Sequence, residues 1–254
     1  MSRTVLLFLV VCLFAKSNEV AADSGGLKKI VFLVAEGEYE TAKTLPAFAD
    51  QYLAGFDVTF VQPTPSDPNQ FDNLAIIKSA DLLVISVRRR TLPTSQLAMI
   101  QDYVHSGKPL VGLRTASHAF SLRRGDPPNG RSVWPEFDKQ VFGGNYTNHH
   151  GNDLSVTIYS PKKLSTVSRK LLKGIRFSRE RTSSGSLYKV SPLAESAIPV
   201  LYGEVEGHPA EPIAWTYQRR DGGRSFYTSL GHPSDFGGDL LPLLLFNAIQ
   251  WGLE

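Results

Sequence analysis

The chain has 254 residues, of which 42% are hydrophobic and 20% charged, an ordinary globular balance with enough apolar side chains for a sizeable core. Its 27 Lys and Arg against 24 Asp and Glu leave a net charge of only +3, which lacks the electrostatic footprint of a nucleic-acid binder. The single cysteine, Cys12, lies in the first apolar run, so the chain beyond that run has no disulfide, no cysteine-ligated zinc and no cysteine nucleophile.

In chain order, Arg3 precedes the apolar stretch from Val5 to Ala15, and polar and small residues follow as far as Ala21 and Ala22. That order reads as a secretory signal peptide over residues 1–22, cut after Ser17 or Ala22. The run is shorter than the roughly 20 residues of a spanning helix, and no second long apolar stretch follows, so the mature chain is expected to be exported, periplasmic or extracellular, with no stable membrane span. The remaining residues, 23–254, read as one domain. Lys29 to Ala35 is a continuous apolar run suited to a strand covered on both faces. A helix is predicted from Thr44 to Ala54, a strand from Phe56 to Val61, a loop from Pro63 to Pro68 and a short helix near Leu74 to Lys78. A strand at Asp81 to Ser86, a helix at Thr94 to His105 and a strand at Pro109 to Leu113 follow. This alternation predicts an α/β fold with a flavodoxin-like, doubly wound, mostly parallel sheet and helices on both faces.

Arg123 to Gly151, rich in Gly, Pro, Asn and Arg, reads as a long excursion over the sheet edge, too polar for a core element. Strand-like pieces recur at Leu154 to Tyr159, Val200 to Tyr202, Ile213 to Tyr217 and Ser225 to Ser229. An amphipathic helix from Leu240 to Trp251 closes the chain.

Ligands of open α/β sheets sit beyond the carboxyl ends of the strands, so the loops after Ala35, Ser86, Leu113 and Ser229 hold the candidate residues. Glu36 and Glu38, with Tyr39, would rim a site for hydroxyl groups or stand as a solvated helix start. Arg88 to Arg90 suits a carboxylate or phosphate, or a solvated face. Gly112 to Phe120 delivers Arg114, Thr115, Ser117 and His118 at one strand end, where Ser117 could instead cap a helix and His118 satisfy a core hydrogen bond. The Gly-x-Ser-x-Gly elbow of serine hydrolases is absent. His149 and His150 are adjacent and would point opposite ways, and either could join Glu36 or Glu38 around a divalent metal, although the spacing matches no specific metal motif. Gly231-His232-Pro233 is a tight turn that would fix the His232 imidazole, at a pocket or at the surface.

The segments Gly112 to Phe120, Trp134 with Phe142-Gly-Gly144, Asn148-His-His150, Pro212 to Trp215 and Gly223 to His232, in this order, resemble the ThuA-like family linked to trehalose utilisation. The resemblance runs from about Lys29 to Trp251. It implies a class I glutamine amidotransferase-like fold, a small-molecule carbohydrate partner and a role in processing keto-sugars or glycosides. It also implies a pocket flanked by His118, one of His149 and His150, His232 and Tyr188. The chain departs from the amidotransferases by placing Thr115-Ala-Ser117 where their cysteine nucleophile stands, which excludes glutamine hydrolysis by that route. Many relatives carry His at the position of Arg114. The expected chemistry is that of a sugar isomerase, lyase or hydrolase, with His118 as general base, Arg114 stabilising an enolate oxygen and His232 as acid partner or metal ligand. A non-catalytic sugar-binding protein and a metal-dependent hydrolase are the rival readings.

Overall fold

The computed structural model describes residues 26–177 and 180–254. Residues 1–22, read above as a signal peptide, and Cys12 within them lie outside the described residues. Nine strands form one sheet: β1 (Lys29–Ala35), β2 (Asp57–Val61), β3 (Leu82–Val87), β4 (Leu110–Leu113), β5 (Val156–Tyr159), β6 (Arg181–Ser183), β7 (Ala197–Glu204), β8 (Glu211–Gln218) and β9 (Arg224–Thr228). Their spatial order is β6-β5-β7-β8-β9-β4-β3-β1-β2. The helices are α1 (Thr41–Tyr52), α2 (Thr94–His105), α3 (Thr166–Leu171) and α4 (Leu240–Leu253).

The sheet is mixed rather than mostly parallel. β9, β4, β3, β1 and β2 run parallel to one another. From β9 outward, β8, β7, β5 and β6 pair antiparallel. The cause is the length of the connections, since the links between β7 and β8 and between β8 and β9 are too short for a helical crossover and can only make hairpins. β9 is the junction, parallel to β4 and antiparallel to β8.

Each face of the sheet carries its own core. On one side Leu45 and Phe48 of α1, Leu171 of α3 and Leu241, Leu244 and Leu245 of α4 pack on Phe32, Val84 and Phe226. On the other, Leu97, Ile100 and Val104 of α2 pack with Leu83, Ile85 and Tyr227. The expected span of α2 matches the observed one. α1 begins three residues earlier than its periodicity suggests, because the buried Glu36 carboxylate accepts the Thr41 backbone N–H at 2.8 Å and opens the helix there. The Pro63 to Pro68 loop is a small hairpin in which Pro63–Thr64 pairs with Asp67–Phe71. Neither α3 nor β6 is signalled by the sequence pattern.

The polar excursion needs the largest correction. Within it Trp134, Phe137, Val141 and Phe142 are buried, in a run that ends in one π-helical turn, Asp138–Phe142. They recur at helical spacing and form part of the second core, where Phe137 meets Phe120 and Phe142 edge to face. Phe142 lies directly over Gly112 of β4, where a Cβ would come within 2.4 Å of its ring. At the far edge of the sheet the buried Arg219 guanidinium bonds Asp221 and the carbonyls of Val104, Lys108 and Arg224, stitching the β8–β9 turn to α2 and β4.

Two stability measurements check this packing by urea denaturation. Gly112→Ala overpacks the Phe142 contact and is expected to cost about 1–3 kcal/mol. Arg219→Ala removes the guanidinium from Asp221 and from the three carbonyls and is expected to cost about 3–5 kcal/mol.

Candidate functional site

Because β1, β3, β4 and β9 are parallel, the segments after Ala35, Val87, Leu113 and Thr228 all emerge on one edge of the sheet. β4 runs directly into a 3-10 turn, Arg114–His118, whose five residues are all buried. The turn starts with Arg114 in left-handed backbone, φ 44°, and the buried Tyr227 hydroxyl donates to the Arg114 carbonyl at 2.5 Å. The Arg114 guanidinium, in a residue only 2% exposed, donates to the Ser229 carbonyl at 2.7 Å, the Tyr39 hydroxyl at 3.2 Å and Ser186 Oγ at 3.3 Å. It lies 4.1 Å from the Tyr39 ring centre and 5.0 Å from that of Tyr188. Its terminal nitrogens are therefore committed within the protein, and Arg114 holds the turn in place rather than reaching for a substrate oxygen.

His118, at the end of the turn, stacks on Tyr146 with ring centres 4.5 Å apart and meets Tyr188 at 6.0 Å. Its Nδ1 lies 3.1 Å from Ser117 Oγ, which in turn donates weakly to the Arg114 carbonyl at 3.5 Å. With the hydroxyl proton on that carbonyl, Nδ1 is the donor and Nε2 keeps the lone pair. Burial, with the guanidiniums of Arg89, Arg88, Arg114 and Arg123 adding to it, pushes the His118 imidazolium down to about 3. His118 is thus neutral at physiological pH. It lines a cavity of about 340 Å³ together with Arg89, Ser117, Asp138 and Tyr146.

Asp138 is the residue that the sequence pattern did not single out. It opens the π-helical turn and is 6% exposed. Its Oδ2 accepts the Tyr146 N–H at 2.7 Å, whereas Oδ1 is buried with no partner. Gly144 passes so close that a Cβ there would stand 2.5 Å from Oδ1. Burial raises the carboxyl to about 7, against the backbone hydrogen bond from Tyr146 and the charge of Lys139. The available signal was an acid inside the apolar run of Trp134, Phe137, Val141 and Phe142.

The other candidates divide. Glu36 is consumed by the protein: its oxygens accept the N–H groups of Glu38, Tyr39 and Thr41 and the Thr41 hydroxyl. Glu38 pairs with Arg88 Nε at 2.7 Å on the half-exposed rim. Thr115 is buried with Oγ1 unpartnered. Tyr188 sits between Arg114 and His118, and burial raises its phenol. His149 faces Tyr188, at 6.4 Å between ring centres, while His150 turns away and stacks on His208 at 4.2 Å. His232 caps the 3-10 turn Pro233–Gly237 through Nδ1 and meets Tyr39 at 6.4 Å. It stands on the Tyr39 and Arg114 side of the site, and the cavity beside His118 is lined by other residues. Among the described residues no three His, Asp or Glu side chains converge to hold a metal, so the Glu36, Glu38, His149 and His150 set is not assembled. A larger cleft, about 470 Å³, lies by the end of α2 between His105, Trp134 and Tyr217, and no buried histidine or carboxylate lines it.

Among the described residues no helix is long and apolar enough to cross a membrane. The structure is similar to a ThuA-like protein from Bacteroides uniformis, with a TM-score of 0.63 at 16% identity over 89% of this chain and 91% of that one. A ThuA-like protein from Parabacteroides merdae gives 0.62 at 16% identity, over 90% of each chain. A cytoplasmic protein from Salmonella typhimurium gives 0.56 at 13% identity, over 89% of this chain and 98% of that one. At these identities the likeness shows the fold. No curated protein matches the sequence. The model of the ThuA family, described as trehalose utilisation, matches residues 30–252, and the chain with its mixed α/β sheet belongs to that family.

Proposed function

We propose that this protein is an exported carbohydrate-active enzyme that transfers protons on a keto-sugar or glycoside in the cavity beside His118. Family membership supports a place in carbohydrate metabolism. Support for catalysis comes from one pairing: a buried histidine held neutral and a buried carboxyl raised to about 7 line the same cavity. Export rests on the basic and apolar order of residues 1–22.

In this reading His118 Nε2 removes the proton from the carbon next to the ketone, and the electron pair moves onto the carbonyl oxygen. The carbonyl then re-forms as the pair moves into a C=C bond with the anomeric carbon, whose bond to the glycosidic oxygen breaks, and the protonated Asp138 gives its proton to that leaving oxygen. Negative charge developing on the substrate lies in the positive field that already acts on His118. Tyr146, which lines the cavity and is backed by the buried Tyr188, offers a flat apolar face to a sugar ring, and Ser117 orients the imidazole. Arg114, whose terminal nitrogens are bonded to Ser229, Tyr39 and Ser186, is a positioning residue for the turn.

Proton NMR on a panel of keto-glycosides and their parent sugars tests the activity. Turnover is expected for the keto forms, and His118→Ala should lower kcat/KM roughly a hundredfold to ten-thousandfold. Unchanged turnover in that variant would remove His118 from the reaction, and ligand line broadening without conversion would favour a binding protein. The pH profile follows from the two groups. The reaction needs His118 unprotonated, which holds above about 3, and Asp138 protonated, which is lost as pH rises through about 7. kcat/KM is therefore expected to fall on the alkaline side of 7, and Asp138→Asn should lose most activity and that limb together. The same variant is expected to gain stability relative to the parent above pH 7. The parent loses stability between about 4, where the carboxyl ionises in the unfolded chain, and about 7, where it ionises in the folded one, and the full difference from the variant is present above 7. Urea midpoints at pH 5 and pH 8 read this difference.

A further inference from the structure

We infer that the ligand of the His118 cavity carries a permanent anionic group, a carboxylate or a phosphate, that Arg89 binds; this deepens the reading of that cavity as the active site. Three of the arginines held in the fold have carboxylate partners: Arg131 pairs with Asp67, Arg181 with Asp239 and Arg219 with Asp221. On the rim, Arg88 pairs with Glu38 and Arg90 Nε donates to the Ala35 carbonyl. Arg89 differs. Like Arg114 it forms no ion pair among the described residues and has its Nε buried without an acceptor, but the Arg114 terminal nitrogens are bonded inside the protein and Arg114 does not line the cavity, whereas Arg89 does. One terminal nitrogen makes a long bond, 3.4 Å, to Ser121 Oγ.

Its placement is built into the backbone. Arg89 adopts φ 49°, a conformation that L residues disfavour, and its N–H donates to the His118 carbonyl at 3.1 Å. The strained residue is thereby fixed to the turn that carries the proposed base. Burial lowers the Arg89 guanidinium, and Arg123 and Arg88 lower it further against the phenols of Tyr146 and Tyr188. An unpaired, partly desolvated guanidinium with an unsatisfied donor is the arrangement that a planar carboxylate or a phosphate completes. The lining acid Glu136 is already paired with Lys139.

The same anion would improve the base. Burial, with Arg89 and its neighbours adding to it, holds His118 far below neutrality, and a negative group bound at Arg89 would offset the share that comes from the guanidiniums and make Nε2 a stronger proton acceptor. The ligand would thus tune the residue that acts on it.

Three probes test this: methyl glucuronide, glucose 6-phosphate and methyl glucoside, each titrated into the purified protein by NMR and calorimetry. An acidic probe is expected to bind at least about tenfold more tightly than the glucoside, with a preference that fades with added salt, and to raise the pH at which the His118 ring titrates. The better of the two acids identifies the group. Arg89→Gln should abolish the preference and Arg89→Lys should restore part of it. The exposed Arg123→Gln should weaken it without disturbing the fold. Equal binding of acid and glucoside, with His118 and Tyr146 signals shifted by both, would overturn the anion and leave the cavity as the site. Failure of all three probes to move those signals would overturn both.

Discussion

The site depends on the burial of one guanidinium. Arg114 forms no ion pair among the described residues and is held instead by a main-chain carbonyl, two hydroxyls and two aromatic faces. Such neutral partners stabilise a buried cation only when each is well placed, so the segments that supply them are fixed relative to one another. Tyr39 comes from the loop after β1, Ser229 from the end of β9, and Ser186 and Tyr188 from the strap beyond β6. Gly185 leaves the guanidinium its room, since a Cβ there would stand 2.7 Å from it. The left-handed backbone at Arg114 turns β4 sharply, and His118 comes to face Tyr146 four residues later.

Once that turn is in place, burial acts on two ionisable groups in the same cavity with opposite results. It disfavours the charged form of each, lowering His118 and raising Asp138, so both are driven toward neutrality. The surrounding guanidiniums add to the effect on the histidine, while a single backbone N–H and Lys139 resist it at the carboxyl. A neutral acceptor and a protonated donor then coexist near pH 7, which is the division of labour that proton transfer in both directions requires.

Much of this arrangement was readable along the chain, and the unread part shares a physical cause. β1, α2 and β4 are local: an apolar run or a 3.6-residue period suffices to define them. The delivery of Arg114, Ser117 and His118 at a strand end is local too, as is the opposite facing of His149 and His150, which follows from alternation in extended backbone. Strand direction after residue 150 depends on connection length, and the apolar spacing of Trp134 to Phe142 was diluted by the Gly, Pro and Asn around it. Asp138 looks like a surface acid until Phe137, Gly144 and Tyr146 enclose it. Glu36 and Arg114 looked available for a ligand because their partners are backbone groups and hydroxyls, which leave no mark in residue type.

The change of direction at β9 has a further effect on how the family fold can vary. Since β8 runs against β9, the hairpin after β7 returns on the same edge as the parallel strand ends, and its His208 reaches His150 in the strap that carries Tyr146 and His149. The edge that carries the proposed site is therefore bordered by two unrelated parts of the chain, one made of crossover loops and one of a hairpin tip. The tip meets His150 outside the lining of the cavity beside His118, so lengthening it would extend that edge without disturbing a core contact, and the outer surface can diversify there while His118 and Asp138 stay where the turn after β4 and the π-helical turn put them.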